Sequence, residues 1–247
     1  QGDTEWLERS FQKLLLNFTW WLNRKDRSGK NAFEGGFLGL DNIGVFDRSS
    51  PLPTGGYLEQ ADGTAWMALF CQNMLEIAVE LAIVNPAYIN ITTKFLEHFL
   101  LIASGMIRPG EEGGMWDEQD GFFYDVLCLP DRRSERLKVR SMVGLLPFCA
   151  VTIFERKLLN KYPELGSIVS GHLNARPELM AFIHDPQKPG NNERLLGSIL
   201  NETNIRRMIT IMLDENELQS RFGIRALPRL HKDQPFIYRV GDQEHRV

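Results

Sequence analysis

LEQADGTAWMALFCQNMLEIAVELAIV, residues 58–84, is the stretch whose reading decides the fold. Trp66, Leu69, Phe70, Met74, Ile77, Ala78 and Leu81 recur every three or four positions in it, the apolar stripe of a helix turned toward a core. The same spacing appears upstream over 5–22, carried by Trp6, Leu7, Phe11, Leu14, Leu15, Phe18 and Trp21. It appears again downstream over 91–106, carried by Phe95, Phe99, Leu100 and Ala103. The polar, Gly-ended run Asn23-Arg24-Lys25-Asp26-Arg27-Ser28-Gly29 stops the first of these helices. Shorter helical patterns are expected over 141–155, 162–174, 193–200, 205–213 and 215–222. A small β-hairpin is expected near 114–128, turning at Gln119-Asp120-Gly121. The last residues, 228–247, read as an extended, polar, open-ended tail.

Amphipathic helices joined by loops in this order point to an all-α chain of stacked helical pairs. No repeat of fixed period runs through it, which argues against an ordinary solenoid. The helices suffice for three or four pairs, whereas a closed ring of helical hairpins takes about six. Residues 1–247 therefore read as part of one domain whose carboxyl-terminal portion is missing.

Composition narrows the function classes. A formal net charge of −4 gives no basic field to track a phosphate backbone, so no nucleic acid is expected as a partner. No uninterrupted apolar run approaches the ~20 residues of a spanning helix, so no membrane is expected either. Cys71, Cys128 and Cys149 lie far apart in apolar surroundings, an odd number without metal or disulfide spacing. They read as small buried hydrophobes in a reducing, cytoplasmic setting. The histidines form no HxxxH or HxH arrangement, so neither a metal nor another cofactor is expected.

Three segments could carry chemistry. The loop FEGGFLGLDNIGVFDRS, 33–49, combines acids, one arginine, glycines and aromatics. Aromatic faces suit sugar rings, and carboxylates serve acid–base work when their surroundings separate their pKa values. The same aspartates could equally accept backbone N–H bonds in turns. The acidic and aromatic run EEGGMWDEQDGFFYD, 111–125, could form a sugar-binding rim or a solvated hairpin. It lacks the spacing of a calcium loop. At the start of the long helix, Glu59 and Asp62 share a face with Trp66. That suits a pocket wall, although acids at a helix N-terminus also stabilise it through the macrodipole. The basic run Arg132, Arg133, Arg136, Lys138 and Arg140 reads as solvated surface.

Taken together, FEGGFLGLDNIGVFDRS with GGYLEQADGTAWMALFCQNMLEIAVELA, and WDEQDGFFYDV with LKVRSMVGLLPFCAV, resemble proteins related to glycoside hydrolase family 63. The likeness is strong over 1–155 and looser beyond. It implies an (α/α)6 toroid of the six-hairpin glycosidase type, here incomplete, with an active site built from loops at one mouth. It implies an inverting glycosidase acting on α-glucosides or α-mannosides, with a carbohydrate as its partner. Leu38-Gly39-Leu40-Asp41-Asn42 matches the family's acid motif, with Leu38 where Ser is usual, and so makes Asp41 the general acid. Phe37, Asn42, Phe46, Asp47 and Arg48 would line the subsite, with Glu59, Asp62, Trp66, Trp116 and Asp117 as further pocket residues. The family's general base has no counterpart before Val247 and would lie outside this chain. Two other functions stay open: a carbohydrate-binding relative without turnover, and a helical scaffold for protein partners. The sugar, its linkage and the oligomeric state are not legible.

Overall fold

The computed structural model describes residues 2–25, 27, 29–34, 39–40, 42–108, 113–175, 177, 179, 183–184 and 188–247. Its first half runs α1 (Thr4–Lys25), β1 (Tyr57–Glu59), α2 (Ala61–Val84) and α3 (Ile89–Ile107). Short strands follow: β2 (Trp116–Asp117), β3 (Phe122–Phe123), β4 (Asp125–Cys128), β5 (Ser134–Leu137) and β6 (Val151–Glu155). The remainder holds α4 (Arg156–Lys161), α5 (Pro163–Ala175), β7 (Arg194–Ser198), α6 (Glu202–Met212), β8 (Gln219–Ser220), β9 (Gly223–Ile224), α7 (Leu230–Asp233), β10 (Ile237–Val240) and β11 (Gln243–Arg246). The protein is mostly helical among its described residues, with several small antiparallel sheets rather than the single hairpin expected.

The helix that decided the sequence reading is the axis of the core. α2 is buried along most of its length and packs against both α1 and α3. Phe18 of α1 joins them: its ring meets Phe70 edge-on at 5.3 Å and Phe95 at 5.0 Å. Such edge contacts suit the ring quadrupole and add to the area that three large rings remove from water. Between α2 and α3, the Asn85 side chain accepts the Ala87 N–H at 3.1 Å and Pro86 opens a single 3-10 turn. A link this short makes the two helices antiparallel neighbours.

By length and composition alone α2 is apolar enough to cross a membrane, although Asp62, Glu76 and Glu80 break it into shorter apolar runs. Of its most apolar window, 61% is buried inside this fold. Cys71 and Cys128 are buried and Cys149 is half-buried, all three without a disulfide.

The expected hairpin forms as β2 paired with β3, with Gly121 at φ +65° in the turn. β1, β4 and β5 make a three-stranded sheet in the order β1-β4-β5, which sets Glu59 opposite Val126 and Asp125 opposite Leu137.

Three of the shorter segments depart from the helical expectation. The first, 141–155, is a 3-10 segment, Met142–Cys149, followed by strand β6. Pro147 lacks the N–H that an α-helix needs there, and the β-branched Val151, Thr152 and Ile153 favour a strand. The second, 193–200, is β7, paired with β6 from Val151 opposite Ser198 to Glu155 opposite Arg194. The third, 215–222, is tight turns and the β8–β9 hairpin.

The tail does not stay open. β10 and β11 fold back so that Tyr238 and Val240 cover a second apolar cluster of Val45, Phe46, Leu58, Leu127, Leu137 and Val139. A separate close approach lies in the 3-10 segment, where a Cβ on Gly144 would overlap the Phe122 ring and the Phe123 carbonyl oxygen. Gly144→Ala is expected to destabilise the chain by about 1–3 kcal/mol, the usual cost of overpacking. An unchanged denaturant midpoint would show that the packing around Gly144 is not as described.

Candidate functional site

The first turn of α2 is where the acidic loop is tied down. Arg48 reaches it from the loop with its side chain almost wholly buried, at 1% exposure. Its Nη1 donates to the Leu40 carbonyl at 3.0 Å and to Asp62 Oδ2 at 3.0 Å, while Nη2 pairs with Asp62 Oδ1. Nε lies 2.8 Å from Oδ2 of Asp125, the first residue of β4. The other Asp125 oxygen accepts the Ala61 N–H at 2.9 Å. It thus satisfies a first-turn donor of α2 that the Gln60 side chain leaves uncapped.

A guanidinium with its fork filled on three sides is a rigid clamp rather than a swinging charge. Burial pushes the Asp125 carboxyl up, even with the Arg48 cation pulling it down. Two carboxylates around one cation leave an excess negative charge in a dry place, and burial is the larger influence.

The loop's earlier end is held by the same turn of α2. The Phe33 N–H donates to Thr64 Oγ1 at 2.9 Å, and the Gln60 N–H donates to the Phe33 carbonyl at 2.9 Å. Gln60 Nε2 also donates to the Arg48 carbonyl at 3.2 Å. Phe33, Leu40 and Arg48 are therefore all fastened to Gln60–Thr64 or to side chains that touch it.

Beside this clamp, buried Glu59 pairs with Arg108 at 2.8 Å. Arg108 closes α3 in a left-handed conformation and also donates to the Gly113 carbonyl at 2.9 Å. A third ionic group surrounds the hairpin. Asp117 contacts Lys138 at 2.8 Å and Arg136 at 3.7 Å, and accepts the Asp120 N–H at 2.9 Å. Asp120 accepts from the Tyr124 hydroxyl at 2.8 Å, and Arg140 pairs with Glu217.

Burial alone would raise the Asp117 carboxyl; Lys138, the Asp120 N–H and Arg136 outweigh it and hold the group below the usual carboxylate range. A carboxyl lowered in the folded state contributes stability above its unfolded value and loses it as pH falls through the folded value. Asp117→Asn is accordingly expected to flatten the acid limb of a stability–pH curve below about pH 4. An acid limb identical to wild type would assign no such contribution to Asp117.

Of the residues singled out in the sequence, Arg48 and Asp62 meet directly in the clamp, and Glu59 lies in the neighbouring ion pair. Asp41 and Phe37 lie outside the described residues. Asn42 is exposed. Asp47 is exposed and accepts from the Ser49 N–H at 2.9 Å and from the Ser49 and Ser50 hydroxyls at 2.7 and 2.8 Å, which lower its pKa. That is the turn-forming alternative weighed for a loop aspartate.

Phe46 is in the second apolar cluster, its ring 5.5 Å from that of Tyr238 and 5.1 Å from that of His245. Trp66 is half-buried, 5.4 Å from the Trp21 ring and 5.2 Å from Phe70. Trp116 is buried against Phe123, donates through Nε1 to Glu118 at 2.7 Å, and carries the Arg207 guanidinium 5.6 Å from its ring centre.

Sequence reasoning passed over Asp125 and Arg108 as individual residues. It also placed Arg136, Lys138 and Arg140 on a solvated surface; Lys138 is exposed there, Arg136 and Arg140 are half-buried, and the three pair with Asp117, Asp120 and Glu217. A signal was present: positions 136, 138 and 140 alternate as along a strand, which puts all three charges on one face.

No protein-family model matches the chain. The chain is similar to the uncharacterized protein YMR196W of Saccharomyces cerevisiae, 46% identical over 258 aligned residues that take in 99% of this chain and 24% of that protein. The chain thus spans about a quarter of the length of the curated relative it matches.

Proposed function

We propose that the chain is part of an (α/α)6 toroid of the family 63 type, and that the complete protein is an inverting glycosidase of α-glucosides or α-mannosides with Asp41 as general acid. The observation that carries this reading is the clamp: Arg48 holds the carbonyl of Leu40, the residue immediately before Asp41, and is itself held by two buried carboxylates. A general acid must meet the leaving oxygen in one orientation, and backbone fastened next to it lowers the cost of keeping that orientation. The antiparallel pair α2 and α3, with α1 beside it, is the kind of unit from which a helical toroid is assembled.

In such an enzyme Asp41 would protonate the glycosidic oxygen while a carboxylate supplied from outside this chain activates water on the opposite face of the sugar. The two groups would stand about 6.5–9.5 Å apart to admit that water.

The test is product release by the complete protein from a panel of α-glucosides and α-mannosides, with the anomer of the released sugar followed by NMR. Initial release of the β-anomer supports the reading. Release of the α-anomer overturns inversion, and no product from any substrate overturns the glycosidase.

A further inference from the structure

Away from the clamp, a cavity of about 90 Å³ lies between α2, α3, α5 and the paired strands β6 and β7. Leu75, Val79, Phe99, Phe154, Leu165 and Val169 form most of its wall, and neither a carboxylate nor a Lys or Arg lines it among the described residues. His184 also lines its edge; of the other polar groups there, Thr152 donates to Glu76, and Ser198 Oγ accepts the Leu200 N–H at 3.1 Å. Gln72 is the exception. It is 1% exposed, and its Nε2 donates to the Gly197 carbonyl at 3.1 Å. Its Oε1 is buried and meets no donor among the described residues.

A buried acceptor left without a donor is costly. Water is a poor remedy in so apolar a space, because an ordered water needs two to four polar partners. What the site lacks is one donor carried on an apolar body. An apolar cavity of about 150 Å³ takes a benzene-sized molecule, so the smaller space here suits a body of about two or three carbons. Gly166 and Leu195 also border an open groove that Arg156, Asn160, Ser167 and Asn174 line.

We propose that this cavity binds a neutral short-chain alcohol, its alkyl part among the leucines and phenylalanines and its hydroxyl donating to Gln72 Oε1. Apart from His184 the described wall residues carry no ionisable side chain, so a neutral ligand meets the smallest desolvation cost there.

The experiment titrates 1-propanol, and separately 1-chloropropane, into the full chain while the methyl signals of Leu75, Val79 and Leu165 are followed by NMR. The expected result is saturable shifts at those methyls, with the alcohol about tenfold tighter than the chloride, the worth of one net hydrogen bond. Gln72→Leu should erase that difference, and Val169→Phe, which fills the space, should abolish binding. The comparison of the two probes on the wild-type chain needs no variant to fold. Absence of saturation, equal affinity for both probes, or undiminished binding by a natively folded Val169→Phe chain would each overturn the proposal.

Discussion

Asp41→Asn in the complete protein is expected to lower kcat by about 10²–10⁴-fold, the usual worth of a positioned general acid. An amide has nearly the shape of the carboxyl and can still hydrogen-bond a sugar, but it has no proton of suitable acidity to give. Substrate affinity should therefore move far less than turnover. The loss should also depend on the leaving group. A glycosyl fluoride, which departs with little help from an acid, should be cleaved by the variant at a rate much closer to wild type than an alkyl glycoside. Undiminished turnover of alkyl glycosides by Asp41→Asn would remove Asp41 from the mechanism. A loss of equal size on both substrate types would assign it some role other than proton donation.

Arg48→Met carries the largest expected effect on stability, a loss of about 3–5 kcal/mol, as when one partner of a buried ion pair is removed. Methionine can fill much of the volume, so the cost comes from Asp62 and Asp125, left buried without their cation. The pH dependence separates charge from packing. Burial already raises the Asp125 carboxyl with Arg48 present, and removing the cation raises it further. A carboxyl raised in the folded state favours the protonated form there, so stability returns as pH falls through that raised value. The deficit of Arg48→Met should thus narrow in mild acid. Urea unfolding at neutral and mildly acidic pH reads this directly, and a deficit independent of pH would mean that lost packing, not stranded charge, is the cause. Arg48→Lys should recover only part of the loss, because a single ammonium cannot reach Leu40, Asp62 and Asp125 together in the manner of a planar fork.

Some of this was legible before any coordinates. The apolar periodicity over 58–84, 5–22 and 91–106 locates the three long helices, since a stripe every three or four residues has few uses besides one buried helical face. The hairpin near 114–128 is likewise written in Gly121 and the alternation around it. The segments 141–155 and 193–200 misled because short apolar runs look alike in helix and strand, and only their pairing with each other makes them β6 and β7. In the clamp, the sequence marks Asp62 and Glu59 as acids at the start of a helix, where the macrodipole alone would justify them. It does not say which cation each one meets.

The sequence by itself determined where the long helices run and which of their faces are apolar, because those depend on neighbours within a few residues. Tertiary structure alone decided that Arg48 meets Asp62 and Asp125 and reaches back to Leu40, that Arg108 takes Glu59, and that Phe46 packs against Tyr238. Charges attract without regard to separation along the chain, so their pairing is settled only when packing brings distant segments together and removes the water between them.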